Sequence, residues 1–354
     1  MELERLAGEL RRATLNVVWA QWRTLGAGAT ARSAERSRHP RTLIDPEALV
    51  LVSLVLMGDE RRLADLLHDW IAKNSDLLSV QRMKNLAGDY PDAVQGALAG
   101  RLAWLATVAR DVGKDLRWRS AVQRWAELSE KLGGAGDASA IPEEPSEHLR
   151  AGAKAAHARP QRNARAVRAS LKSRATRTRL TSDASLLLRL RLAFGVSVKA
   201  DLLSFLLART DEWATVRHIA TATAYTPAAV RRAADDLAAA RLIHALEGQP
   251  TSYRVSYSAW APLLELEDRP PRWGSWHERF VFVIAFLYWT DAARERPLSR
   301  YALGANGREL LERHRLAFES DLIAVWSPHS PIKDWTTFLG RAVGSLAGWM
   351  EEMG

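Results

Sequence analysis

The sequence predicts a mainly α protein: two copies of one helical module, a β-hairpin after the second copy, and a helical bundle flanking both. Three observations carry this. Apolar residues recur at the three-and-four spacing of amphipathic helices over most of the 354 residues. Aligned against itself at an offset of 136, the chain matches 47–97 to 183–233 without gaps, with 14 of 51 positions identical. Chance would give about four or five in so Ala- and Leu-rich a chain. The strand-like residues RLIHAL and SYRV, separated by the turn EGQPT, directly follow the second copy.

The elements follow in order. Leu3, Leu6, Leu10, Val17 and Trp22 give the first helix an apolar stripe. DPEALVLVSLVLMG opens the next, with Asp45 as cap and Pro46 at the first helical position, where its missing N–H is harmless. Residues 1–132 form an N-terminal helical domain holding the first copy, and 133–147, GGAGDASAIPEEPSE, read as a linker. A basic arm spans 148–182, the second module 183–260, and a C-terminal helical domain 261–354. In the last, Asp334 caps a helix that buries Trp335, Phe338, Leu339, Ala342, Val343, Leu346 and Met350 on one face, the candidate contact of a homodimer.

The repeat pairs Ala48 with Ala184, Leu51 with Leu187, the ADLL at Ala64 with that at Ala200, Val80 with Val216, and Pro91 with Pro227. In the second copy Leu202, Leu203, Leu206 and Leu207 face inward from one helix, and Val216, Ile219 and Ala220 from a short one after it. Thr226 is a good N-cap for a helix starting at Pro227, and Tyr225 can staple onto Val230. Val230, Ala233, Ala234 and Leu237 bury one face of that helix; Thr226, Ala228, Ala229, Arg231, Arg232 and Asp235 line much of the other.

The stretch IATATAYTPAAVRRAADDLAAARLI, 219–243, with the hairpin behind it, resembles the winged helix-turn-helix DNA-binding family, including bacterial repressors of antibiotic and metal resistance. The resemblance covers about 75 of 354 residues. It implies tandem helix-turn-helix modules, the second with a wing. The second helix of that pair would enter the major groove of double-stranded DNA, placing Thr226, Ala228, Ala229, Arg231 and Arg232 at bases or phosphates, while Gln249, Thr251 and Arg254 reach the backbone from the wing. Two positions depart from the family pattern: Ala224 and Arg241 stand where glycine is usual, at a cost of about 1 kcal/mol each if φ is positive. A plainer reading treats Arg231 with Asp235 and Arg232 with Asp236 as ordinary i, i+4 surface pairs. The first copy carries Gln95 and Gly96 in place of the two arginines and Asp92 in place of Ala228, and no hairpin follows it.

The chain's +9 charge is local, because 150–182 hold ten Lys or Arg and no acid, leaving −1 for the remainder. Arg162, Arg165, Arg168 and Lys172 share one helical stripe, and Arg174, Arg177 and Arg179 continue the charge toward the second module. A polyanion explains this better than folding does, and a phosphate-tracking arm adds affinity without sequence information. The bland alternative is a solvated connector.

There is no cysteine, which excludes disulfides and thiolate metal sites. The longest apolar runs, from Leu49 and Phe280, are half a bilayer span, so a cytoplasmic protein is expected. His277 and Glu278 lack the second histidine of a zinc protease, the GANG at Gly304 lacks the Lys of a phosphate loop, and Gly274–Ser275 start a nucleotidyltransferase pattern with no Asp-x-Asp behind it. His68, His218 and His314 fall on helix surfaces, and half of the 14 tryptophans, Trp19, Trp22, Trp70, Trp104, Trp289, Trp335 and Trp349, lie on or beside apolar stripes. No enzyme, cofactor or metal is expected. The expected function is a DNA-binding transcriptional regulator, most simply a repressor; the alternative is a protein-interaction component such as an antitoxin or defence-system regulator.

Overall fold

Side chains that turn back onto backbone N–H groups set where the helices begin. In the computed structural model, which describes residues 2–27, 42–133, 180–267, 270–296, 298–320, 323–324 and 334–353, Asp45 accepts from the N–H of Ala48 at 3.1 Å and starts α2 (Pro46–Leu56). Before it runs α1 (Glu2–Thr24); after it come α3 (Arg62–Asn74), α4 (Val80–Ala87), the long α5 (Asp92–Asp111) and α6 (Arg119–Lys131). The second module holds α7 (Leu186–Phe194), α8 (Val198–Leu207), strand β1 (Ala214–Thr215), α9 (Val216–Thr223), α10 (Pro227–Ala239), β2 (His244–Leu246) and β3 (Ser252–Arg254). The short α11 (Tyr257–Trp260), then α12 (Trp276–Glu295), α13 (Arg300–Arg313), a small β4 (Glu319–Ser320) and β5 (Ile323–Ala324) hairpin, and α14 (Trp335–Met353) complete the chain. The protein is mainly helical, and no described helix is long and apolar enough to cross a membrane.

The offset of 136 recurs in the helices themselves: α3 starts at Arg62 and α8 at Val198, α4 spans Val80–Ala87 and α9 Val216–Thr223. Their caps correspond too. Ser79 accepts from the N–H of Arg82 and Thr215 from that of His218, both at 3.2 Å. Beyond α4 and α9 the copies diverge. α5 continues as one helix for 20 residues, whereas α10 stops after 13 and the chain returns as a β2–β3 hairpin. β3 lies between β2 and β1 in a three-stranded antiparallel sheet, with Tyr253 opposite both Ala245 and Ala214.

Two cores result. One gathers α1–α6 with α12 and α14, so the C-terminal helices share the interior of the N-terminal ones. α2 is apolar apart from Glu47 and Ser53 and buried along its whole length, which places it at the centre of this core. The apolar face of α14, including Phe338, Leu339, Ala342, Val343, Leu346 and Met350, is buried within the chain, where the helix packs on α1 and α13; Trp335 is only half-buried. The second core lies among α7–α10 and the sheet and buries Leu202, Leu203, Leu206, Val230, Leu237 and Tyr253. Each such aliphatic side chain withdrawn from water contributes about 1.5–3 kcal/mol.

Candidate nucleic-acid interface

A left-handed residue and a buried ionic cluster set the passage from α9 to α10, and a second left-handed residue closes α10. α9 ends with the N–H of Tyr225 on the carbonyl of Ala220 and that of Ala224 on Thr221, while α10 ends with Leu242 on Leu237 and Arg241 on Ala238. Both are the paired closing bonds of a helix that finishes in a left-handed residue. Those residues are Ala224, at φ 56°, and Arg241, at φ 59°. The two departures from glycine therefore do sit where glycine is easiest.

Residues from the first module compensate at Ala224. Arg82 Nε donates to the carbonyl of Thr223 at 2.9 Å and Asn85 Nδ2 to that of Ala224 at 3.0 Å, so α4 supplies donors to the exposed carbonyl end of α9. Arg82 is itself buried and bidentate on Asp45, at 2.6 and 2.5 Å, with a further bond to Glu47 at 2.6 Å. On the far side of Glu47, Arg191 of α7 grips Glu47 and Asp201 of α8, and Tyr225 donates to Asp201 at 2.9 Å. Thus Tyr225 is a hydrogen-bonding member of this cluster as well as an apolar contact. Burial works to raise the Asp45 carboxyl, but the Arg82 guanidinium outweighs it and holds the group below its ordinary value. Burial likewise pushes the Tyr225 phenol well up, reinforced by Asp201.

On this base α10 turns its outer face to solvent. Thr226 is exposed, its hydroxyl accepting from the N–H of Ala229 at 3.3 Å; Ala228, Arg231 and Arg232 are exposed and Ala229 half-buried. Neither arginine makes the i, i+4 pair read from the sequence. Asp235 accepts instead from the Tyr253 hydroxyl, at 2.5 Å, and Asp236 pairs with Lys199 of α8 at 2.8 Å. Burial and the hydrogen bond to Asp235 push the Tyr253 phenol up to about 12. Arg231 leans toward the hairpin, 3.4 Å from the Thr251 hydroxyl, and Arg232 has no ion pair among the described residues. Gln249 is exposed at the hairpin tip, and Thr251 is half-buried, donating to the Gly248 carbonyl at 3.2 Å. Arg254 lies over the Trp213 ring, 4.8 Å from its centroid, so its charge is held against the sheet rather than extended from it.

The structure thus brings Thr226, Ala228, Ala229, Arg231, Arg232, Gln249 and Thr251 onto α10 and the hairpin tip beside it. Arg162, Arg165, Arg168, Lys172, Arg174, Arg177 and Arg179 lie outside the described residues. In the first copy the equivalent face is covered in part, with Asp92 and Ala93 still exposed. Gly96, at the position of Arg232, is buried, its carbonyl accepting from Ser129 of α6 at 3.1 Å, and Gln95 folds back onto the carbonyl of Tyr90 at 2.7 Å. The sequence reading missed Arg82, Arg191, Asp45, Glu47 and Asp201 as positioning residues, apart from the cap at Asp45. Their one signal in the sequence is charge inside apolar helical runs, as in Arg191 within LLLRLRLAF.

Compared with known proteins, the chain matches no family model, no curated protein and no solved structure.

Proposed function

We propose that the protein is a DNA-binding transcriptional regulator, most simply a repressor, in which α9 and α10 act as a helix-turn-helix and β2–β3 as its wing. The observation that carries this reading is the pair Arg231 and Arg232, exposed on α10 while both neighbouring carboxylates are engaged by Tyr253 and Lys199. An arginine without a carboxylate partner is free to grip guanine or phosphate, and the small Ala228 and Ala229 allow close approach to a groove. The basic arm adds a sequence-independent, salt-sensitive grip on phosphates. Pseudo-palindromic operators read by a homodimer belong to the proposal, with the contact made outside the apolar face of α14.

Selection of genomic fragments by the purified protein at low and high salt tests this directly. A defined site enriched at both salts is expected; enrichment of none sinks specific regulation. Arg231→Ala with Arg232→Ala should then weaken the selected site by about 1–3 kcal/mol per arginine and relax its sequence preference. Neutralising the cations of 162–179 should instead weaken all DNA alike and flatten the salt slope. If the first variant binds as the parent does while the second loses binding, α10 is not the reader.

A further inference from the structure

Three consecutive residues of the turn between α9 and α10 are held from outside it. The carbonyl of Thr223 accepts from Arg82 Nε at 2.9 Å, that of Ala224 from Asn85 Nδ2 at 3.0 Å, and the Tyr225 hydroxyl donates to Asp201 at 2.9 Å. Arg82 and Asp201 belong to the buried cluster, so removing either disturbs the core. Asn85 is exposed. Its Oδ1 accepts from Gln81 Nε2, one turn earlier on α4, at 2.9 Å. An amide whose oxygen is taken by a donor presents its nitrogen to a carbonyl, and the carbonyl here is that of Ala224.

Ala224 sits at φ 56° and ψ 37°, a conformation that glycine enters freely and alanine only at a cost. With alanine there, the turn depends on what its neighbours supply. Rotation about the Ala224 backbone swings the first turn of α10 before any later part of the helix. That first turn carries Thr226, Ala228 and Ala229, and Arg231 and Arg232 follow it. The donor on Ala224 therefore acts where a small change in angle is felt most by the proposed DNA contacts.

We propose that Asn85, oriented by Gln81, is a positioning residue for the helix-turn-helix: through it the first module sets the affinity of the second for a defined DNA site. The inference rests on the reading of α10 as a DNA reader. Asn85 acts on the turn and not on the DNA, so its loss is repaired by whatever makes the left-handed turn self-sufficient, and glycine at 224 does that.

Fluorescence anisotropy of the full chain on a labelled duplex of its selected site, and on a scrambled duplex of equal length, tests this with three variants: Asn85→Ala, Ala224→Gly and the two combined. Asn85→Ala should weaken the selected site about three- to tenfold and leave the scrambled duplex within about twofold, since phosphate contacts do not depend on the turn. The combined variant should bind the selected site as Ala224→Gly alone does. Amide exchange at Ala224 and Tyr225, whose N–H groups close the end of α9, should quicken in Asn85→Ala. Unchanged exchange there, or an unchanged affinity for the selected site, overturns the proposal. A loss that Ala224→Gly does not repair also overturns it, because Asn85 would then be touching DNA itself. A parent that selects no site refutes the DNA reading and this inference with it; a parent that selects one and is matched by Asn85→Ala refutes this inference alone.

Discussion

Arg191→Met is the sharpest test of how the two modules are joined. The guanidinium is fully buried and makes five hydrogen bonds: 2.8 and 2.8 Å to Asp201, 2.6 and 3.0 Å to Glu47, and 2.9 Å to the carbonyl of Leu77. Methionine fills much of the stem's volume and supplies none of them. Glu47 would keep Arg82, at 2.6 Å, and the N–H of Ser79, at 2.7 Å, but Asp201 would keep only the Tyr225 hydroxyl. A buried carboxylate left with one neutral donor is the expensive product. Breaking a buried ion pair from one side costs about 3–5 kcal/mol, most of it the stranded charge and not the lost attraction.

Guanidinium chloride unfolding followed by tryptophan fluorescence reads the loss as a fall in midpoint. The decisive comparison adds Asp201→Leu, because removing both partners leaves no stranded charge at that end. The double variant should recover about 2 kcal/mol or more relative to additivity. A single-variant cost under about 1 kcal/mol, or strict additivity in the cycle, would refute the idea that Arg191 neutralises buried carboxylates.

Other consequences are simpler to measure. Ala224→Gly and Arg241→Gly should each stabilise by a few tenths of a kcal/mol up to about 1, because relief at φ 56° and φ 59° exceeds the added freedom of the unfolded chain; Ala238→Gly inside α10 should lose about 0.5–1. Equal losses at all three sites, read by melting temperature, would contradict the left-handed geometry. The Asp45 carboxyl is lowered in the fold, so its contribution is complete above the ordinary value of 3.8 and disappears as pH falls through the lower, folded value. The unfolding midpoint should therefore drop on acidification below about pH 4, less steeply in Asp45→Asn, and an unchanged slope would remove Asp45 from the ledger of acid sensitivity. Tyr253→Phe should cost about 1 kcal/mol by removing the hydrogen bond to the exposed Asp235, and ultraviolet titration of the variant should lack one tyrosine transition that the parent shows near the phenol's value of about 12. Retention of that transition in the variant would assign it elsewhere.

Local signals were legible in the sequence and long-range ones were not. Asp45, Thr226 and Asp334 announced their helices because a cap acts within three residues: Asp334 accepts from the N–H groups of Thr336 and Thr337, as Asp45 and Thr226 do from theirs. The repeat was legible because most of its identities, such as Leu51 with Leu187, Leu54 with Leu190 and Val94 with Val230, lie on inward-facing positions. The plainer pairing of Arg231 with Asp235 and Arg232 with Asp236 does not form, because the i, i+4 rule cannot see Tyr253, 18 residues beyond Asp235, or Lys199, from another helix, which take the two carboxylates. The buried cluster was hidden more deeply. Arg82 and Arg191 look like surface charges until partners 10 to 144 residues away, most of them on other helices, are brought to them. The apolar stripe of α14 was read correctly as a stripe, but periodicity says only that a face is buried and never against what.

The two copies differ in a way that ties these observations together. Donation from α4 to the end of α9 is one-directional, because the positions matching Arg82 and Asn85 are His218 and Thr221, too short or too neutral to return it. The same asymmetry appears at the outer faces. Where the first copy has Gly96, α6 packs down on that edge of the helix while Asp92 and Ala93 stay exposed; where the second has Arg232 and Arg231, two charged side chains oppose any such covering helix. A glycine at position 96 and a guanidinium at 232 thus have opposite structural consequences on equivalent helices. One module becomes a support whose donors hold the turn between α9 and α10 in its left-handed form, and the other is left with an open helix carrying two exposed arginines on a packed base. A rigid base matters for any groove reader, since side chains placed by packed helices lose less freedom on binding than side chains placed by a loop.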